Sequence, residues 1–361
     1  SGVAGKEITD WDAYKSSLRA RMGYDNKLMR GLTDMAKQNP KRVVFAEANH
    51  VNMLTAAVTA YKEGICKPIL LGNNEMIAKT AARNNLDLTG IEIVNLRHDD
   101  EYERRCRYAE ILAKKRERGG ITVDEAYEKM FDRTYFGMMM VETGEADAFI
   151  TGTYTNYTEA VEVAKNVIGI RPEYNHFGSM HIVSTKKGTY FLADTLINPH
   201  PNEDTLVDIA RLSVHTVKFF ANEPVMAMLS YSNFGAEKSG SAAKVHRAIE
   251  KLHENYPELL IDGEMQLNFA MDKTLRDKTF PFNKLAGMDV NTLIFPNLSS
   301  ANLAYKLFLE MGVNDSVGPI QMGLNKPIHF TDIESSPRDI LNLTTVAVVD
   351  AIVMEQINKN K

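Results

Sequence analysis

The sequence holds only two cysteines, Cys66 and Cys106, in 361 residues. That is too few, too far apart, for a disulfide framework or a zinc knuckle. They read as buried or half-buried free thiols in a reducing cytoplasm. The nine histidines are scattered, none of them in an H-x-x-x-H spacing, so no metal is assigned. No apolar run approaches the ~20 residues of a membrane span, and no signal-peptide pattern opens the chain. Positive charge is not in excess: the formal net charge is -5 with both signs mixed, which argues against a nucleic-acid or anionic-membrane surface. A Walker A loop, a clean G-x-G-x-x-G, internal repeats and low-complexity segments are missing too. These absences leave a cytoplasmic protein whose partners are small molecules or other proteins.

What is present is material for a substantial core, 44% hydrophobic and 25% charged residues, in about two domains of ~150 residues each. From Arg42 strand and helix alternate. Residues 42–48, 67–74 and 91–96 predict strands, and 51–64 a helix. A charged helix is predicted over 99–120, stopping at Gly119-Gly120. Residues 134–152 predict a helix, a glycine exit and another strand. Strands apolar throughout, with helices between, imply a parallel sheet covered on both faces.

After about residue 175 the rhythm changes. Residues 179–198 predict an antiparallel hairpin closed by a Lys-Lys-Gly turn. Buried strands follow at 225–232 and 292–296, and amphipathic helices at 208–222 and 299–312 that read equally as core or as interface. Near Gly318-Pro319 the chain returns to a strand, and it closes on a helix from Ser336 to about Asn358. The expectation is an α/β protein with a linker and leading helix over 1–40, a first domain of 41–172 plus 320–361, and a second domain, 173–319, inserted in it. The polar opening "SGVAGKEITDWDAYKSSLRARMG", which does not start with Met, reads as a linker cut from a longer protein.

Three glycine-bearing turns, "LLGNN", "FITGTYTN" and "QMGLNKP", follow strands, at the carboxyl edge where such sheets bind ligands. The segment "HFTDIESSPRDI" (329–340) enters a helix through Ser336, with Pro337 in the first position and Asp339 completing a capping box. A helix start behind a turn seats phosphate well. Yet Asp332, Glu334 and Asp339 crowd this one, with Arg338 in opposition. The basic run "AKKRERGG" (113–120) reads first as a solvated helix end. The polar loop 231–244 is long for a strand-to-helix connector and is a place for ligand contact.

Further specificity comes from resemblance. "PILLGN" (68–73), "RGGITVDEAYEKMFDRTYFGMMMVETGEADAFITG" (118–152), "IDGEMQLNFA" (261–270), "LAGMDVNTLIFPNLSSANLAYK" (285–306) and "GPIQMGLNKPIH" (318–329) occur in this order. The chain from residue 42 onward resembles the phosphate acetyltransferase and butyryltransferase family. The resemblance implies a two-domain parallel/mixed-sheet fold of the phosphotransacetylase type, similar to isocitrate and isopropylmalate dehydrogenases, with dimerisation through the inserted domain. "LSYSNFG" (229–235), "GTYFLADTLINPHP" (188–201) and the leader look more like one branch. That branch is the C-terminal phosphotransacetylase-like domain of hybrid NADP-dependent malic enzymes.

Active members of the family carry Ser-Arg at the end of the C-terminal strand and an Asp seven residues after that Ser. These positions fall on Asp332, Ile333 and Asp339. Family arginines that meet phosphates fall on Asn52, Arg116 and Glu162, so only Arg116 keeps its guanidinium. The resemblance therefore implies a degenerate catalytic lining and a regulatory domain that senses acetyl-CoA, within a homo-oligomer and beside N-terminal malic enzyme domains of the same chain. NADP and divalent-metal sites would belong to that N-terminal portion. Arg116, Arg118, Asn233 and Lys326 are the expected effector contacts. Two alternatives stand beside this reading: a working phosphate acetyltransferase with Asp339 as thiol base and Arg116 and Arg338 as anion contacts, and a purely structural oligomerisation module.

Overall fold

The structure is a computed structural model that describes residues 27–313 and 316–359; the segment read as a linker lies outside them up to residue 26. The leading helix α1 spans Lys27–Gln38. It is followed by β1 (Lys41–Phe45), α2 (Val51–Lys62), β2 (Cys66–Leu71), α3 (Asn74–Arg83) and β3 (Glu92–Val94). Next come α4 (Tyr102–Lys115), α5 (Val123–Lys129), α6 (Arg133–Glu142), β4 (Ala148–Thr151) and α7 (Tyr157–Val167).

The second group is β5 (Gly178–Thr185), β6 (Gly188–Ala193), α8 (Glu203–Phe219), β7 (Met226–Leu229), α9 (Gly240–Asn255) and β8 (Ile261–Met265). It continues through α10 (Leu267–Met271), α11 (Lys273–Thr279), β9 (Thr292–Ile294) and α12 (Leu298–Glu310) to β10 (Ser316–Met322). The chain then crosses to β11 (Ile328–Phe330) and ends in α13 (Pro337–Lys359).

One sheet has the order β11-β4-β1-β2-β3 and is parallel throughout. Successive strand side chains point to opposite faces, and here both faces are dry. Val43, Phe45, Leu70 and Ile150 pack into the core shared with α2 and α13. Val44, Ile69, Leu71 and Phe149 pack against α4, α6 and α7. This two-sided burial is why the strands carry apolar residues without alternation.

The other sheet, β10-β5-β6-β9-β7-β8, is mixed. The hairpin β5/β6 turns tightly, Thr185 pairing with Gly188, and β10 adds antiparallel to β5. Strands β6, β9, β7 and β8 run parallel. Met180, Ile182, Phe191 and Met228 join the same apolar cluster as the first sheet, through α8 and α13, while Val183, Leu192 and Leu293 form a core of their own with α12. Both cysteines are free thiols, Cys66 buried and Cys106 half-buried.

Three sequence expectations need correction. The helix predicted to run to Gly119-Gly120 ends at Lys115, because Arg116 leaves the helical region (φ -118°, ψ 18°) and a short 3-10 turn, Glu117–Gly119, carries the chain to Gly120 at φ +77°. The loop expected over 231–244 is shorter, since α9 starts at Gly240. Helix α13, by length and composition, is apolar enough to cross a bilayer, although no uninterrupted apolar run shows it. Over half of its apolar window is buried inside the fold, as a helix apolar on most sides requires.

Candidate functional site at the head of α13

The capping box read from the sequence is formed. Ser336 N–H and Oγ donate to Asp339 Oδ2 at 3.0 and 2.6 Å, and Asp339 N–H donates to Ser336 Oγ at 3.3 Å. The approach is held from several sides. Asn52, in the first turn of α2, donates from Nδ2 to Ser335 O at 3.1 Å. Ser335 Oγ accepts from Asp332 N–H at 3.1 Å. From the other sheet's layer, Lys306 on α12 reaches Asp332, Nζ to Oδ2 3.7 Å. The next residue, Ile333, is 68% exposed.

The electrostatics are those of an acidic turn. Burial lifts the Asp332 carboxyl above the ordinary range against the pull of Lys306, and Glu334 and Asp339 push the same way. Beside it, burial drives the Tyr305 phenol up to about 12, with Asp332 and Asp339 adding to the rise. Tyr305 stacks on His181, centroids 3.7 Å apart and planes at 20°. Burial brings His181 down to about 3, so its ring is neutral across the physiological range.

The glycine-bearing turn after β4 is occupied from within. Glu47, fully buried just beyond β1, accepts six hydrogen bonds. Its Oε2 takes Gly152 N–H (2.9 Å), Thr153 N–H (2.6 Å) and Thr153 Oγ1 (2.6 Å). Its Oε1 takes Tyr154 N–H (3.0 Å), Thr155 N–H (2.7 Å) and Thr155 Oγ1 (2.7 Å). Burial alone would raise the carboxyl; the bonds from Thr153, Thr155 and Gly152 outweigh it and hold it below the usual range. A backbone concavity of this kind is an anion seat, and here the anion is the protein's own. Gly152 is required: it sits at φ +129°, and a Cβ there would lie 2.3 Å from Thr331 O on the approach to α13.

The expected effector contacts are dispersed. Arg116 donates from Nε to Asn166 O at 2.6 Å and from Nη2 to Lys165 O, closing the C-terminal end of α7. Arg118 is exposed in the 3-10 turn. Asn233 accepts Gln266 N–H at 2.9 Å through Oδ1, in the loop after β7. Lys326 is half-buried between β10 and β11, and Glu162 is exposed on α7. The structure joins Asn52, Asp332 and Asp339 around one turn and leaves Arg118, Asn233 and Lys326 in separate segments. Glu47, Lys306, Tyr305 and His181 went unread. The signal for Glu47 was present: an acidic residue directly after a buried strand, with a threonine-rich turn elsewhere to receive it.

This arrangement, a parallel sheet joined to a mixed one, is the α/β fold of phosphotransacetylases. The phosphotransacetylase structure from Streptococcus pyogenes superimposes with a TM-score of 0.83 at 29% identity, covering 91% of this chain and 98% of that one. The sequence pattern described as phosphate acetyl/butaryl transferase matches residues 27–348. The chain belongs to the phosphate acetyl/butaryl transferase family. It is 31% identical to the phosphate acetyltransferase of Thermoanaerobacterium thermosaccharolyticum over 331 residues, 90% of this chain and 99% of that protein. It is also 36% identical over 357 residues to the NADP-dependent malic enzyme of Salmonella typhimurium, and 35% to that of Escherichia coli. Each alignment takes 97% of this chain but 46% of the relative, so the chain spans a little under half the length of those malic enzymes.

Proposed function

We propose that this chain is a phosphotransacetylase-like domain that has lost acyl transfer and serves a cytoplasmic NADP-dependent malic enzyme as its acetyl-CoA-sensing regulatory and oligomerisation part. The observation that carries the reading is the acidic turn at the head of α13. Transfer between acetyl phosphate and CoA requires fixed positive charge on a polyanion and a base for the thiol. Where the family resemblance places Ser-Arg, Asp332 and the exposed Ile333 stand, with Glu334 and Asp339 beside them. Asp339 is engaged with Ser336 as the capping partner of α13. At ~5 Å and an effective dielectric near 20, one misplaced unit charge is worth about 3 kcal/mol, roughly a hundredfold in rate.

The malic enzyme alignments support the setting, because they take nearly all of this chain and just under half of each relative. Helix α12 supports an assembly role: Leu303 and Leu307, one turn apart on one face, and Met311 at its C-cap are 71%, 59% and 76% exposed. Feedback by acetyl-CoA then requires that the ligand bind one quaternary arrangement better than another.

Two measurements test the reading. The chain mixed with acetyl phosphate and CoA is expected to form no thioester above background; turnover at an ordinary enzymatic rate overturns the loss of catalysis. Calorimetric titration with acetyl-CoA is expected to show saturable heat; none at millimolar ligand overturns the sensing role.

A further inference from the structure

Away from its head, α13 borders a cavity of about 340 Å³ shared with α1, α8 and β10. From Asp339 to Asp350 the helix covers roughly 16 Å, so this space is distinct from the acidic turn. Its walls are mostly apolar, with Leu32 and Met35 on one side, Leu212 and Phe219 on another, and Val349 and Val353 from α13.

Into this apolar space the fold brings three polar side chains that do not satisfy one another. His329 is 1% exposed, and its Nε2 has no hydrogen-bond partner among the described residues. That nitrogen lies 3.9 Å from Asp350 Oδ2, and Arg171 Nη2 lies 4.0 Å from Asp350 Oδ1. Both separations exceed hydrogen-bond reach. An unmet buried polar group is costly, and gaps of this length fit one interposed atom.

We propose that the cavity is a binding site for an amphiphile with a short aliphatic chain and a neutral hydroxyl head, the hydroxyl bridging Asp350 and His329. A hydroxyl has a single proton, so it donates to the carboxylate and accepts from Nε2–H, the tautomer in which Nδ1 is left as an acceptor. The ring's other nitrogen, Nδ1, is near Gln321 N–H at 3.4 Å and Gln321 Oε1 at 3.3 Å. Charged heads fit less well. An ammonium group meets Arg171 beside Asp350, and a carboxylate meets Asp350 itself. His215, also in the lining, is pushed down by burial and then by Arg171 and Arg211, positive charges that add to the opposition an ammonium head would meet. Burial holds Asp350 at about 6 and His329 at about 3, so near neutral pH the pair is an acceptor and an uncharged ring.

The test uses the full chain and three probes of equal chain length: 1-hexanol, hexylamine and hexanoate. Calorimetry is expected to show saturable binding of 1-hexanol, about tenfold tighter than of either charged probe. Asp350→Leu is expected to weaken 1-hexanol about tenfold. Val353→Phe, which fills the space and leaves Asp350 and His329 in place, is expected to abolish binding in a protein that still unfolds cooperatively on heating. The proposal is overturned if 1-hexanol does not saturate, which would leave only a bridging water. It is equally overturned if hexanoate or hexylamine matches 1-hexanol, or if a folded Asp350→Leu protein binds it unchanged. Neither acetyl phosphate nor CoA enters the experiment, so its outcome is separate from that of the regulatory reading.

Discussion

Exchange of Glu47 for glutamine removes one charge and one acceptor from a fully buried side chain that has six donors. The glutamine amide nitrogen must face one of two trios. In either orientation two backbone N–H groups, Gly152 and Thr153 or Tyr154 and Thr155, meet a donor in place of an acceptor; the threonine hydroxyls can rotate to compensate. Each buried N–H left unpaired costs about 1–3 kcal/mol, and the surviving bonds lose their charge assistance. The expected loss is about 3–6 kcal/mol, a large share of the ~5–15 kcal/mol of a whole fold. Urea unfolding followed by circular dichroism reads it as a lower midpoint.

The pH dependence provides a second reading of the same change. Because the folded-state pKa of Glu47 lies below its ordinary value, its stabilisation is complete above the ordinary glutamate range. It is lost as pH falls through the depressed folded value. The gap between wild type and Glu47→Gln should therefore narrow in acid. A loss under about 1 kcal/mol at neutral pH, or a gap that persists unchanged in acid, refutes the claim that this carboxylate organises the turn.

Other expectations are briefer. Asp332→Ser with Ile333→Arg restores a cation at the head of α13 and should raise thioester formation from acetyl phosphate and CoA about tenfold or more over wild type; no increase counts against the electrostatic account. Arg116→Ala should cost about 1–2 kcal/mol in urea unfolding by freeing the carbonyls of Lys165 and Asn166 at the end of α7. His181 has a folded pKa of about 3 against an ordinary 6.5, so its unfolded form takes up a proton first. Stability is lost as pH drops from about 6.5 toward 3, and His181→Gln should flatten that slope by up to about 1.4 kcal/mol per pH unit. Gly152→Ala, with its Cβ 2.3 Å from Thr331 O, should destabilise by about 2 kcal/mol or more, seen as a lower melting temperature.

Local pattern was enough for elements whose cause is local. Apolar runs such as those at Val43–Phe45 and Phe149–Ile150 announce strands buried on both faces. The Lys-Lys-Gly turn announces a hairpin, and Ser336 with Asp339 announces a capped helix, because each needs only neighbours a few residues away. The family, too, is written in ordered short segments. Where the last turn of α4 ends was less legible, since Arg116 departs from the helix to reach carbonyls about fifty residues further on.

Pairings across long stretches of chain were decided by folding alone. Glu47 with the turn at 152–155, Asn52 with Ser335, and Lys306 with Asp332 become neighbours only when the sheets close. The same holds for His329, Asp350 and Arg171, drawn from a strand, a helix and a loop into one apolar cavity. A one-dimensional pattern reports which faces avoid water; which charged and polar groups meet behind those faces depends on three-dimensional packing, where the cost of leaving a buried polar group unpaired selects the partners.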